Sequence, residues 1–357
     1  MASYEYPPHT DHTVPLPGSG TNLSVRIWPA DPSPTPSPLP FLLWTHGGGF
    51  IGGSHFMPLY WLDIGFRRAH DYHLISHNYR LAPQVSLDDQ LADCLHVVAW
   101  LRENLPSILG VGRVDVDRYV LAGDSAGGLL VSLMGLHLHT PAPRAIIDIY
   151  GGADFPAMLA LDRKDEAPAE WKGEFPAEKL EAFLEDRDQG KVLTDALSWM
   201  EMEQFTEEEL SAHWKSEVKY DERIRMQAEA HIWRSLHPMG SEMLVRAVLH
   251  PEKFETKEKM DEKMMEMSPL HALRKVAETG GRYPPTAFLH GTGDEAVPWE
   301  LSREMARVLK GMGVPVVERY PEGEPHVFDR KYTSTDVSGW EVDIQPIVDF
   351  VRHHVDA

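Results

Sequence analysis

Arg118-Tyr119-Val120-Leu121-Ala122-Gly123-Asp124-Ser125-Ala126-Gly127-Gly128-Leu129-Leu130-Val131-Ser132-Leu133-Met134 is the stretch on which the fold of this chain turns. The apolar run up to Ala122 reads as a buried strand, and the run from Leu129 continues as a helix. Between them lies G-x-S-x-G. On so sharp a strand-to-helix turn the serine backbone is strained and its hydroxyl stands clear of the sheet. Gly123 and Gly127 suit the turn because side chains there would collide with the neighbouring strand and helix. The pattern alone is made of common residues, and a glycine-rich phosphate loop would also satisfy it. Its meaning depends on the rest of the chain.

Outward from the turn, the sequence alternates strands and helices. Asn22 to Pro29 alternates as a strand, and residues 1–21 read as an irregular arm. Asp31 to Pro40 is a proline- and serine-rich loop. Phe41 to Thr45 is a continuous apolar run, as expected of a strand covered on both faces. Tyr72 to Tyr79 and Arg144 to Tyr150 are further strands. Asp88 to Asn104 is an amphipathic helix that Ser86 and Asp89 can open with a capping box. The alternation stops at Gly151-Gly152. Residues 153–270 are rich in Glu, Lys, Met and Trp and read as helices without strands. Alternation resumes with the strand Pro285 to His290, a helix over 300–311, the strand Val314 to Tyr320 and a terminal helix from Val342 to His353. Pro315 places its strand at an edge. The expected architecture is α/β: a mostly parallel sheet flanked by helices. Its core is formed by residues 1–152 and 271–357, and a helical cap of residues 153–270 is inserted after the sixth strand.

Composition narrows the function. The 357 residues carry a net charge of −21, which disfavours nucleic acid, anionic membranes and highly anionic substrates as partners, although solubility alone would account for the charge. Cys94 is the single cysteine and lies in an apolar helical pattern, so it reads as a small buried residue. The first residues show no basic and apolar leader, and no run reaches eighteen apolar residues; a cytoplasmic protein without a membrane span is expected.

A serine hydroxyl needs a base, an orienter for that base and donors for the oxyanion that forms. The donors are expected from His46-Gly47-Gly48-Gly49-Phe50, directly after a strand: the N–H groups of Gly47 and Gly48, joined by that of Ala126. The acid is read as Asp294 in His290-Gly291-Thr292-Gly293-Asp294, just past a strand end, with Asp154 and Glu295 as rivals. The base is read as His326 in Gly323-Glu324-Pro325-His326, a loop after the last strand. His353 and His354 lie in the terminal helix and read as solvated. No metal or organic cofactor is called for.

Four signatures together resemble the hormone-sensitive lipase-like group of α/β-hydrolase esterases: His46 to Phe50, Tyr79-Arg80-Leu81-Ala82-Pro83, Gly123 to Gly128, and the Asp294/His326 pair. The resemblance covers roughly residues 22–150 and 280–355. It implies the α/β-hydrolase fold, a Ser-His-Asp triad, and a buttressing role for Tyr79 to Pro83. Two departures stand out. Only 45 residues precede His46, where the group builds much of its cap, and the insertion at 153–270 is long. Within that insertion Trp171, Trp199, Trp214, Trp233, Met200, Met202, Met226, Met239 and Met243 suit either an apolar wall over Ser125 or plain helix packing. Glu207-Glu208-Glu209 reads as a solvated face.

The expected activity is hydrolysis of a carboxylic ester of a small apolar or aromatic molecule. Acyl transfer, elimination, cyclisation or C–C cleavage by the same residues is the alternative, and a non-catalytic small-molecule receptor is a third reading that the complete set of three residues disfavours. The edge strand near Val314 to Tyr320 could pair across a homodimer.

Overall fold

The apolar runs of the sequence become the middle of one sheet because both faces of those strands are covered. In the computed structural model, which describes residues 6–31, 37–56, 58–196 and 222–356, the strands are β1 (Thr10–Pro15), β2 (Asn22–Trp28), β3 (Leu39–Thr45), β4 (His73–His77), β5 (Val114–Asp124), β6 (Ala145–Ile149), β7 (Thr286–Leu289) and β8 (Val316–Arg319). They form one sheet in the order β1-β2-β4-β3-β5-β6-β7-β8. The pairs β1–β2 and β2–β4 are antiparallel, and the rest are parallel. The longer helices are α1 (Leu87–Leu109), α2 (Ala126–Met134), α3 (Glu222–Leu236), α4 (Gly240–Leu249), α5 (Lys257–Glu266), α6 (Pro269–Glu278), α7 (Trp299–Gly311) and α8 (Gln345–Asp356).

Side chains alternate across the strands, and each face has its own apolar layer. Phe41, Leu43, Tyr119 and Leu121 join the buried faces of α1, α2 and α7. Leu42, Trp44, Val120 and Ala122 join Trp61, Phe66 and the buried face of α8. The capping box forms: Ser86 N and Oγ both donate to Asp89 Oδ2, and the Asp89 N–H reaches back to Ser86 Oγ. Cys94 is fully buried in α1, and burial raises its thiol well above the usual range.

The structure corrects the reading of the first residues. Part of the expected irregular arm is β1, paired to β2 over Thr10–Pro15. An edge strand has one neighbour and little burial, so Thr10-Asp11-His12-Thr13 lacks the apolar signal; Val14 is the one fully buried residue. Asp11 secures the pair by accepting from Arg26 Nε and Nη2 at 2.7 and 2.8 Å. Helix α1 also runs past its expected end at Asn104 and carries Pro106 within it. Strand β8 lies at the far edge, where Pro315 had placed it.

The described residues between β6 and β7 form helices joined by turns and irregular stretches such as 160–176. It touches the sheet domain through a bridge between Gly53 and Ala196 and through Gln227 of α3, whose Nε2 donates to Ile51 O (2.6 Å) and Ala82 O (3.2 Å). Trp199, Trp214, Met200, Met202 and Glu207-Glu208-Glu209 lie outside the described residues. Among the described residues no helix is long and apolar enough to cross a membrane.

Candidate active site

Parallel strands send their C-terminal ends to one edge of the sheet, and loops leaving that edge converge. The loop after β3 begins at His46, Ser125 follows β5, Asp294 lies in the loop after β7, and His326 in the loop after β8.

Ser125 occupies the turn that the sequence implies. Its φ of 52° lies in the left-handed region, a conformation that costs a non-glycine residue about 1–3 kcal/mol. The turn is held from both sides: Ser125 N donates to Ile149 O at 2.9 Å, and Trp44 Nε1 donates to Asp124 Oδ1 at 2.9 Å. A methyl group on Gly127 would run into the carbonyl oxygen of Thr45, so α2 can approach β3 this closely only with glycine there.

The three residues expected to act together meet. His326 Nε2 lies 3.1 Å from Ser125 Oγ, and His326 Nδ1 lies 2.6 Å from Asp294 Oδ2. The Asp294 carboxylate is fully buried and fully occupied. Oδ1 accepts from the N–H groups of Ala296 (2.8 Å) and Val297 (2.9 Å). Oδ2 also meets His290 Nε2 at 3.1 Å. Burial alone would raise the Asp294 pKa. The hydrogen bonds from His290 and His326 outweigh it and hold the group well below the usual carboxylate range.

His290 was quoted in the sequence only as part of the motif around Asp294. Its Nε2 faces two acceptors, Asp294 Oδ2 and Val297 O (3.0 Å), so that nitrogen carries the proton and Nδ1 accepts from Ser302 Oγ at 2.7 Å. The i, i+4 spacing of His290 and Asp294 was the available signal. A second unforeseen group lies behind His326. The Tyr150 ring meets the imidazole edge-on at 4.7 Å, and its hydroxyl donates to Asp329 Oδ1 at 2.7 Å. Trp61 Nε1 supplies the other Asp329 oxygen at 2.8 Å. No local pattern joins residues 61, 150 and 329.

The rival acids are placed elsewhere. Asp154 caps the helical turn Phe155–Leu159 through Ala157 N and pairs with His271 Nε2 at 3.1 Å. Glu295 is exposed. His353 and His354 sit at the end of α8.

The loop after β3 lies against the serine. A Cβ on Gly47 would stand 2.7 Å from Asp124 Oδ2 and 3.1 Å from Ser125 Cβ. Ala126 opens α2, so its N–H is among those the helix leaves without an internal partner. Tyr79 stacks on His46 with ring centres 4.3 Å apart and donates its hydroxyl to His46 O at 3.0 Å. Burial lowers the His46 pKa to about 3, so that imidazole is neutral. Ala82 N donates to Phe50 O at 2.9 Å, and Arg80 forks onto Asp93 (Nη2 to Oδ1 2.7 Å, Nε to Oδ2 2.9 Å). The segment Tyr79 to Pro83 therefore braces the glycine loop.

Sheet order, turn geometry and the convergence of the loops define an α/β-hydrolase fold. Residues 42–200 match a family model described as the α/β-hydrolase fold, and residues 235–354 match that of the prolyl oligopeptidase family. The first of these matches agrees with the α/β-hydrolase fold of the chain. An α/β-hydrolase superfamily protein from Enterococcus faecalis superposes with a TM-score of 0.62 at 19% identity, over 96% of this chain and 98% of its own. Among curated proteins, the non-reducing polyketide synthase Preu6 of Preussia isomera is 27% identical over 325 residues. That match takes in 88% of this chain but 13% of the synthase, so the chain spans about an eighth of that relative's length. The probable carboxylesterase 6 of Arabidopsis thaliana is 34% identical over 111 residues, 31% of this chain and 33% of the relative.

Proposed function

We propose that this protein hydrolyses carboxylic esters with Ser125, His326 and Asp294 as its catalytic triad. The observation that carries the reading is the unbroken hydrogen-bonded run from Ser125 Oγ through His326 to the buried carboxylate of Asp294. Ser125 Oγ attacks the ester carbonyl while its proton passes to His326 Nε2. The resulting oxyanion is received by the N–H groups of Gly47, Gly48 and Ala126. His326 then gives the proton to the departing alcohol oxygen as the C–O bond breaks, leaving an acyl group on Ser125. Water, deprotonated by the same imidazole, releases the acid and restores the serine. Asp294 keeps the Nδ1 proton in place and offsets the imidazolium charge. The segment of residues 153–270, with its described helices, acts as the cap over this site.

The test is Ser125→Ala. The variant is expected to lose cleavage of p-nitrophenyl esters and covalent labelling by an organophosphate. Turnover at the parent rate would overturn the assignment.

A second reading is favoured by the polyketide synthase relatives: the acyl group is a polyketide-derived ester or thioester, passed from Ser125 to an acceptor other than water. Product analysis with such an acyl donor separates the two, since hydrolysis yields the free acid and transfer yields a new ester.

A further inference from the structure

Where helix α3 meets the glycine loop it presents polar side chains, although a helix packed on a core ordinarily buries an apolar stripe. Gln227, His231 and Arg234 are spaced i, i+4, i+7 and share a face. Gln227 has a clear structural task, since it ties the helix to Ile51 O and Ala82 O. The other two reach Gly49. A Cβ on that residue would strike the His231 imidazole and stand 3.3 Å from Arg234 Nη2. The close approach leaves room only for glycine.

Arg234 is 8% exposed, and among the described residues no carboxylate is bonded to it. Nη1 donates to Gly240 O at 3.0 Å. Nη2 lies 3.5 Å from His231 Nδ1, and Nε has no partner among the described residues. Asp162, which acts on the guanidinium through space, uses its two oxygens on the N–H groups of Ser241 and Glu242, each at 2.9 Å. Burial brings the Arg234 pKa down to about 10, and the group stays charged at neutral pH. Burial, then Arg234 and His326, bring His231 down to about 3, so its imidazole is neutral. Both side chains pack on Gly49, in the same glycine loop whose Gly47 abuts Ser125. A buried cation is costly unless it is paired, and none of the described residues supplies a carboxylate bonded to it. Nε, which has no partner among the described residues, and Nη2, on the side of Gly49, form the edge of the guanidinium that grips a carboxylate with two parallel hydrogen bonds.

We propose that Arg234 determines specificity by receiving a carboxylate carried by the substrate, with His231 beside it, so that the favoured substrates are half-esters with one free carboxylate and one scissile ester. This rests on Ser125 as the hydrolytic centre. On a chain of net charge −21, an anion is drawn to this point and repelled from most of the surface.

The experiment measures binding without turnover, using full-length protein carrying Ser125→Ala. Its ligands are the monomethyl and dimethyl esters of succinate, glutarate and adipate, which differ in charge at nearly equal size. At one or more lengths the half-ester is expected to bind at least tenfold tighter than the diester. Adding Arg234→Gln should bring that ratio to about one, and Arg234→Lys should retain part of it. A purely structural role for Arg234 would weaken both ligands alike and leave the ratio standing, which overturns the proposal. Equal binding of the two esters by the Ser125→Ala protein also overturns it, whether or not Arg234→Gln folds. Neither result depends on hydrolysis, so failure of the proposed activity is read separately, from turnover and labelling of the parent protein.

Discussion

His290 Nε2 stands 3.1 Å from Asp294 Oδ2, the same oxygen that meets His326 Nδ1 at 2.6 Å. Two imidazoles thus share one carboxylate oxygen, and only one of them reaches the serine. His290→Phe removes one donor and leaves Asp294 a stronger acceptor for His326. The expected result is a fall of about tenfold in kcat/KM, in line with roughly 1.5–3 kcal/mol for a hydrogen bond to a charged group that is partly recovered by its neighbour. The acid limb of the pH–rate profile should move to higher pH, because a stronger Asp294 interaction favours the imidazolium. Steady-state rates from pH 4 to 9 check both effects; an unshifted limb would leave His290 a packing role.

Gly47 abuts Ser125, and a methyl group at this position has no room beside Asp124 Oδ2 and Ser125 Cβ. Gly47→Ala should displace the loop from the serine. Loss of one well-placed oxyanion donor costs about 100- to 1000-fold in kcat. The same variant should still fold with the parent's circular dichroism, and organophosphate labelling should slow in parallel with ester cleavage.

Asp148 provides a pH signature of the fold. It is buried under α2 and accepts from Ser132 Oγ (2.7 Å) and Gly151 N (2.8 Å). Burial nonetheless raises its pKa to about 6. Between pH 4 and 6 the folded protein therefore holds a proton that the unfolded chain has released, so this group makes stability fall as pH rises through that window. The shift corresponds to at most about 3 kcal/mol. Asp148→Asn keeps an acceptor for Gly151 N and removes the charge. It should match the parent at pH 4 and exceed it above pH 6.5, as read by urea unfolding. Asp294, with its depressed pKa, loses its contribution only as pH falls below about 4, outside the window.

Gln227 joins α3 to the loops that carry Ile51 and Ala82. Gln227→Leu leaves two buried carbonyls without that donor, a loss of about 1–3 kcal/mol. Because the amide also fixes the helix above the glycine loop, KM should rise more for bulky esters than for p-nitrophenyl acetate. An equal rise for both would mean that the helix does not shape the pocket.

Much of this was present in local sequence. The strand–G-x-S-x-G–helix order fixed the turn at Ser125, since few backbones besides a left-handed serine flanked by glycines can make it. The apolar runs at 41–45 and 119–122 marked strands covered on both faces, and Ser86 with Asp89 marked the start of α1. Strand ends located Asp294 and His326 as candidates, because ligands gather at one edge of a parallel sheet. Edge strand β1 was not legible, since a strand with one neighbour and an exposed face needs little apolar character.

Only the tertiary structure decided which of these groups touch. Ser125 and His326 are far apart in the chain, and the choice of Asp294 over Asp154 rests on a carboxylate oxygen reaching His326 instead of capping Phe155–Leu159. The Tyr150–Asp329–Trp61 group, His290 against Asp294, and Arg234 at Gly49 are contacts between segments with no shared local pattern. Local sequence sets the backbone of each turn and strand, because those preferences act over a few residues. The pairing of charges and donors across the cleft depends on distances that exist only once the sheet has brought its loops together.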